Sequence, residues 1–326
     1  MAYKRIFIGI LLLLVGTVSF AQLKWNNADA QFGPLPASVH VYRTNDSLDG
    51  KPNIAFYVIA DLKDKSLNFT SDTTLNRRLT PKQYYERNGQ PVITVNCTFF
   101  EFVHNSNLNL VMKDGKIVSY NRHSIPNRGK DTFTYTHALA SVIGISKKRK
   151  ADVAWSYTEP GMRWPIAFEK NPQVRKDSFD RVDKYQFAPS LHHMPTNKKR
   201  YGIVEHWKMQ TAVGGGPVLL HDGVIRITNN EEARFTGKAI DDRHPRTAMG
   251  YTKDGKLIIL VIQGRFPGIA EGATLTHEAQ IFKDLGCWEA LNLDGGGSSC
   301  LLINGKETIA PSDKVERPVP AVFIIK

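Results

Sequence analysis

The chain of 326 residues reads as an α+β protein, mainly antiparallel or mixed β-sheet with a few helices. Three observations lead there. Apolar runs of strand length recur along the sequence, separated by short turns containing Gly. Stretches with helical spacing are few, and each carries its own start and stop signals. An apolar content of 41% over so long a chain supplies a large core.

From the N-terminus, Lys4 and Arg5 precede an apolar run, Ile6 to Phe20, that ends in the small-x-small signature Ser19-Phe20-Ala21. This predicts a secretory signal peptide cut after Ala21, because the run falls short of the roughly 20 apolar residues that span a bilayer. Residues 22–326 are then predicted to form a single domain, secreted or periplasmic, with no stable membrane insertion after cleavage. No Cys follows the leader, so it offers no site for lipid attachment.

Thr80-Pro81-Lys82-Gln83 predicts a helix start, with Thr as cap, Pro in the first turn and Gln closing a capping box; Gly89 ends it. A second helix is expected from Thr274 or Thr276 to Leu285, with Leu275, Ala279, Phe282 and Leu285 on one face, Glu278 in an exposed first turn and Gly286 as the stop. Four β-hairpins are predicted around Asp114-Gly115, Asp222-Gly223, Asp254-Gly255 and Asn304-Gly305, because Asp, Asn and Gly tolerate the positive φ of tight turns. The two helices open similar trains: helix, Gly, strand, polar residue (Asn96 or Asp294), hairpin. Either a weak internal duplication or coincidence accounts for them; a duplication would bring Asn96 and Asp294 to one cleft between two related halves. The segment 121–207 is rich in Lys, Arg, Trp, Tyr and Pro, and its second half reads as loop-rich. Its Trp155, Trp164 and Tyr185 suit either sugar stacking or packing.

The net charge is +12 and stays strongly positive once Lys4 and Arg5 are removed with the leader. Such a surface attracts anions. Nucleic acid is a poor fit: export argues against it, and runs such as Lys147-Lys148-Arg149-Lys150 look like solvated turns rather than an aromatic and basic platform. Cys97, Cys287 and Cys300 are odd in number, lie beside apolar runs and read as buried thiols; no Cys-x-x-Cys or His/Cys grouping suggests zinc, and no cofactor is expected.

Leu293-Asp294-Gly295-Gly296-Gly297-Ser298-Ser299 is the most informative segment. A strand delivers a carboxylate to its end, and three glycines then allow close backbone approach to a phosphate or ring hydroxyl. A second cluster, Gly214-Gly215-Gly216-Pro217, suits a cleft or close strand packing equally. Arg246 and Arg265 end apolar segments and are suited to gripping phosphate. Glycoside cleavage commonly uses two carboxyl groups, for which Asp294 and Glu278 are candidates; a phosphate leaves readily, so arginine can take the place of a strong general acid.

Taken in order, Asn96-Cys97-Thr98-Phe99-Phe100, Gly215-Gly216-Pro217-Val218-Leu219, Arg246-Thr247-Ala248-Met249-Gly250, Gly264-Arg265, Gly272-Ala273-Thr274 with Glu278, and Asn292 to Ser299 resemble the phosphodiester glycosidase family over residues 92–319. The resemblance implies hydrolysis of a sugar-1-phosphodiester or phosphorylated glycan. It also implies a cleft of Asn96, Arg246, Arg265, Glu278, Asp294, Gly296 and Ser298; within it, our own reading of the residues takes Asp294, Glu278, Arg265 and Arg246 as catalytic and Asn96, Gly215, Gly216, Thr247, Gly295, Gly296, Gly297 and Ser298 as substrate-binding. The sequence departs from the family at Cys97-Thr98, where two glycines are common, implying a narrower cleft floor. Two other classes compete: a non-catalytic glycan-binding module, and a metal-dependent phosphodiesterase with Asp294, His244 and Asn96 as ligands. The second lacks the dense His/Asp grouping such sites use.

Overall fold

A computed structural model describes residues 22–170, 174–178 and 204–326. The predicted leader and Tyr185 lie outside them. Every strand pairing among the described residues is antiparallel, in sheets of eight, seven, five and three strands. The eight-stranded sheet is centred on Lys256–Ile262, Arg246–Thr252 and Cys287–Asn292. The seven-stranded sheet is built on Ala140–Ser146, Ala151–Tyr157 and Met209–Gly214. In the five-stranded sheet, Ile93–Asn96 lies between Leu301–Ile303 and Ala321–Ile325.

Period-two alternation decides what each face buries. In Lys256–Ile262, Leu257, Ile259 and Val261 join the main core, with Val95 and Phe323 of the five-stranded sheet and Ile143 and Trp155 of the seven-stranded sheet. Ile258, Leu260 and Ile262 point the other way, under the helix Leu275–Asp284 with its Leu275, Ala279 and Phe282. Each such fully buried large side chain contributes about 1.5–3 kcal/mol.

All four predicted hairpins form, at 111–119, 218–225, 246–262 and 301–307. Both helices begin where their caps lie. Thr80 accepts from the Gln83 N–H, and Gln83 reciprocates, ahead of Pro81–Arg87. Thr274 accepts from the His277 N–H ahead of Leu275–Asp284. Each cap is worth about 1 kcal/mol. The Lys147 to Lys150 run forms the turn between two strands, and the three cysteines are free and buried.

Two readings are refined. The second half of 121–207 contributes strands Ile166–Phe168 and Val204–His206 to the seven-stranded sheet; runs of three residues are too short to show a period. Trp155 is fully buried, its indole N–H donating to Glu232 Oε1 at 3.0 Å, so it packs rather than stacks on a sugar. The two trains feed different sheets, Ile93–Asn96 the five-stranded and Cys287–Asn292 the eight-stranded, yet their ends meet. Asn96 Nδ2 donates to the Asp294 carbonyl at 2.6 Å, and the Asp294 N–H donates to the Cys97 carbonyl at 2.8 Å.

Candidate active site

Where those ends meet, a cavity of about 250 Å³ opens, lined by Phe99, Phe235, Ala239, His244, Arg246, Arg265, Asn292, Asp294, Gly295, Gly296, Gly297 and Arg317. A larger cavity of about 660 Å³, bordered by Tyr120, Arg122, Tyr135 and Glu159, contains none of the residues singled out above.

Asp294 follows the end of the Cys287–Asn292 strand. Burial pushes its carboxyl up to about 7, against the opposing pull of the Ser298 hydroxyl, the Arg317 charge and the Gly295 N–H. The glycines after it make room for arginine more than they offer backbone donors. Gly296 has φ +62° and spends its N–H on the Pro245 carbonyl; a Cβ there would meet Arg265 Nη2 at 3.0 Å. At Gly297 a Cβ would run into the Arg317 guanidinium and the Asp313 carboxylate. Arg317 is held by Asp313 through Nε at 2.8 Å and reaches the Ser298 hydroxyl through Nη1 at 3.4 Å. Arg246, almost fully buried, donates from Nε to the Ala273 carbonyl at 2.8 Å and from Nη2 to the Asp242 carbonyl at 2.9 Å. Three guanidinium groups therefore share one small cavity with one carboxyl group.

Glu278 departs from expectation. Its side chain is fully buried rather than in an exposed turn, neither carboxyl oxygen has a hydrogen-bond partner, and Arg246 Nε stands 3.9 Å away. Burial raises its pKa to about 8, with Arg246 opposing. Burial thus favours the neutral carboxyl of Glu278, and the Asp242 charge also acts on Arg246. It sits behind Arg246 rather than on the cavity lining. His244 does line the cavity; burial, then the charges of Arg246 and Arg265, lower its pKa and keep it neutral.

The residues read as substrate-binding divide. Gly295, Gly296 and Gly297 line the cavity, and Ser298 supports Asp294 from beneath. Asn96 and Thr247 lie fully buried behind the wall, where Asn96 Oδ1 accepts from Thr247 Oγ1 at 2.9 Å and from the Cys300 N–H at 3.0 Å. With Nδ2 on Asp294, every polar atom of the Asn96 side chain is committed to the protein. Gly215 and Gly216 also pack behind the wall: a Cβ at Gly215 would strike the Asn292 carbonyl, and one at Gly216 would strike Glu232 and Arg234. Cys97 and Thr98 are buried outside the lining, so the departure from the family pattern leaves the cavity floor to other residues. The metal-ligand reading joins His244 and Asp294 in the cavity but leaves Asn96 outside it.

Sequence reasoning missed Arg317, a lone arginine in the loop before the Ala321–Ile325 strand with no pattern to mark it. Phe235, with its ring centroid 5.9 Å from that of Phe99, was equally unmarked. No helix among the described residues is long and apolar enough to cross a membrane.

The phosphodiester glycosidase family model matches residues 89–326. Over 97 residues the chain is 40% identical to the SPbeta prophage-derived uncharacterized protein YomE of Bacillus subtilis, covering 29% of this chain and 15% of that protein. Over 103 residues it is 31% identical to mouse N-acetylglucosamine-1-phosphodiester alpha-N-acetylglucosaminidase, covering 29% of this chain and 20% of that one. The matched segments thus span a fifth or less of these curated relatives. The catalytic domain of the zebrafish N-acetylglucosamine-1-phosphodiester alpha-N-acetylglucosaminidase has the same fold, with a TM-score of 0.56 at 18% identity over 94% of this chain and 88% of that one. A hypothetical protein from Synechocystis aligns with a TM-score of 0.58 at 15% identity, over 88% of this chain and 62% of that one. With the family model matching well over half of its length, this chain belongs to the phosphodiester glycosidase family.

Proposed function

We propose that the protein is a phosphodiester glycosidase that hydrolyses a sugar-1-phosphodiester, such as the linkage of a phosphorylated glycan. One observation carries this reading: a carboxyl group whose pKa burial raises to about 7 shares a small cavity with Arg246, Arg265 and Arg317. Three guanidinium groups suit a diester phosphate, and a single carboxylate suits the carbon it is bonded to.

In the reaction, Asp294 acts at the anomeric carbon, either by attacking it to form a glycosyl ester that water then cleaves, or by deprotonating the water that attacks it. The bond from that carbon to the phosphate oxygen breaks, and the electron pair leaves with the phosphate. The arginines stabilise the departing charge, so no strong general acid is needed. Asn96 holds the main chain at Asp294 in place, and Glu278 packs behind Arg246 and backs that guanidinium. The substrate is an exported glycan or glycolipid phosphodiester, met after secretion of residues 22–326 as a single domain; nucleic acid is not a partner.

The test is a time course with UDP-N-acetylglucosamine and a panel of sugar-1-phosphodiesters, separating free sugar from sugar-1-phosphate. Free sugar with the matching phosphomonoester supports the reading. Sugar-1-phosphate would mean cleavage on the other side of phosphorus, a phosphodiesterase. Glycan binding without product across the panel would make the cavity a binding module.

A further inference from the structure

A second group of titratable side chains lies away from the cavity. His221 ends the strand Val218–His221 and Asp222 begins the turn to Val224–Ile225, and Glu289 stands on the adjoining strand Cys287–Asn292. Along that strand Glu289 is three residues, roughly 10 Å, from Asn292 at the cavity, and on the opposite face. Among the described residues, these three alone bring His, Cys, Asp or Glu donor atoms, one from each, within 4.8 Å of one another.

The His221 side chain is only 9% exposed, and its Nε2 is buried without a hydrogen-bond partner. It faces Glu289 Oε1 at 3.6 Å, too far for a hydrogen bond. The other oxygen of Glu289 is already committed, accepting from the Val153 N–H at 2.9 Å and from the Tyr251 hydroxyl at 2.5 Å. Two buried atoms capable of donating an electron pair therefore look across a gap that neither closes. Asp222 adds a carboxylate on the solvent side, 67% exposed and 3.4 Å from the same imidazole at Nδ1. The turn is rigidly built: Asp222 has φ +53° and Gly223 φ +72°, with the Trp288 ring where a Cβ at Gly223 would stand. Arg226, a cation whose charge reaches His221, has its guanidinium over the Trp155 ring, 5.9 Å from the centroid.

We propose that His221, Asp222 and Glu289 bind a divalent transition-metal ion of the zinc(II) class. Ligands each about 2.0–2.2 Å from one ion stand about 3.0–3.6 Å from each other, which matches the gap between Nε2 and Oε1; the exposed Asp222 side chain, now beside Nδ1, has to turn from that nitrogen to reach an ion held at Nε2. Two carboxylates balance the charge of a dication, and one imidazole nitrogen favours zinc over calcium or magnesium, which take oxygen shells. Water completes the coordination on the open side at Asp222. The ion ties the hairpin to the strands carrying Glu289 and Val153 and takes no part in the cavity chemistry.

Zinc(II) alone is titrated by calorimetry into purified, untagged protein freed of metal with EDTA. One equivalent binds, Asp222→Asn and His221→Gln weaken the binding at least about tenfold, and Asp294→Asn binds as the wild type does. Asp222 is exposed, so its variant keeps the fold and reads binding alone. Saturating zinc raises the Tm of the wild type and leaves that of Asp222→Asn unchanged. No binding by the wild type, or binding by either hairpin variant as tight as that of the wild type, overturns the proposal. So does binding that His244→Ala abolishes, because the ion would then sit in the cavity.

Discussion

The sequence contains Gly-Gly-Gly twice, at 214–216 and at 295–297, and the two runs do different work. Around Gly215 and Gly216 the absent side chains let main chain and buried charge close in: the Asn292 carbonyl on one, and Glu232 with Arg234 on the other. That Glu232 is fully satisfied, accepting from Ser141, Trp155, Val218 and Thr228. Around Gly296 and Gly297 the space is filled by the side-chain ends of Arg265 and Arg317 at the rim of a cavity. A glycine run thus reports that something approaches closely. Whether it is rigid wall or movable charge depends on parts of the chain far away in sequence.

The contrast can be broken by substitution, and the largest effect is expected in the wall. Gly216→Ala places a side chain at φ +123° against Glu232 and Arg234, costing about 3 kcal/mol or more, which a chemical denaturation curve measures. Gly215→Ala meets the Asn292 carbonyl and is expected to destabilise by about 2–3 kcal/mol. Gly297→Ala meets only side-chain ends that can swing away, so stability changes by about 1 kcal/mol or less. Because it displaces Arg317, turnover falls at least about tenfold. Unfolding of Gly297→Ala together with intact folding of Gly215→Ala would reverse the comparison.

Protonation sharpens the same contrast. Glu278, inside the wall, has a folded pKa of about 8, above its ordinary value of 4.5. The folded state therefore holds a proton that the unfolded state has lost, and stability declines as pH rises from about 4.5 to 8. Glu278→Gln removes that decline, raising stability at pH 8 by about 1–3 kcal/mol relative to pH 5 when compared with the wild type. Asp294, in the cavity, works ionised with a pKa of about 7. The value of kcat/KM is expected to fall about tenfold per unit below that pH and to level off above it.

What was legible in the sequence was local. Caps at Thr80 and Thr274 and the four Asp-Gly or Asn-Gly turns are written within a few residues of each other, and all are found. Glu278 was misread as lying in an exposed turn, although its spacing marks it as buried. It lies three residues after Leu275 and four before Phe282, on the apolar face of its helix, where a carboxylate would be placed last on residue preference alone. Arg317 was not legible, because the crossing that brings the loop before Ala321–Ile325 over Gly297 is a tertiary event with no local mark. The same holds for Asn96: its strand-end position was readable, and its role as a clamp on the Asp294 main chain was not.

The central claim is that the Asp294 carboxylate performs the bond cleavage in a cavity built to hold a phosphodiester. The most direct test compares wild type and Asp294→Asn on the same sugar-1-phosphodiester, with Tm recorded for both. The account predicts an unchanged fold and a loss of kcat of about a thousandfold or more, with substrate still bound. A folded Asp294→Asn that releases free sugar at the wild-type rate would contradict it.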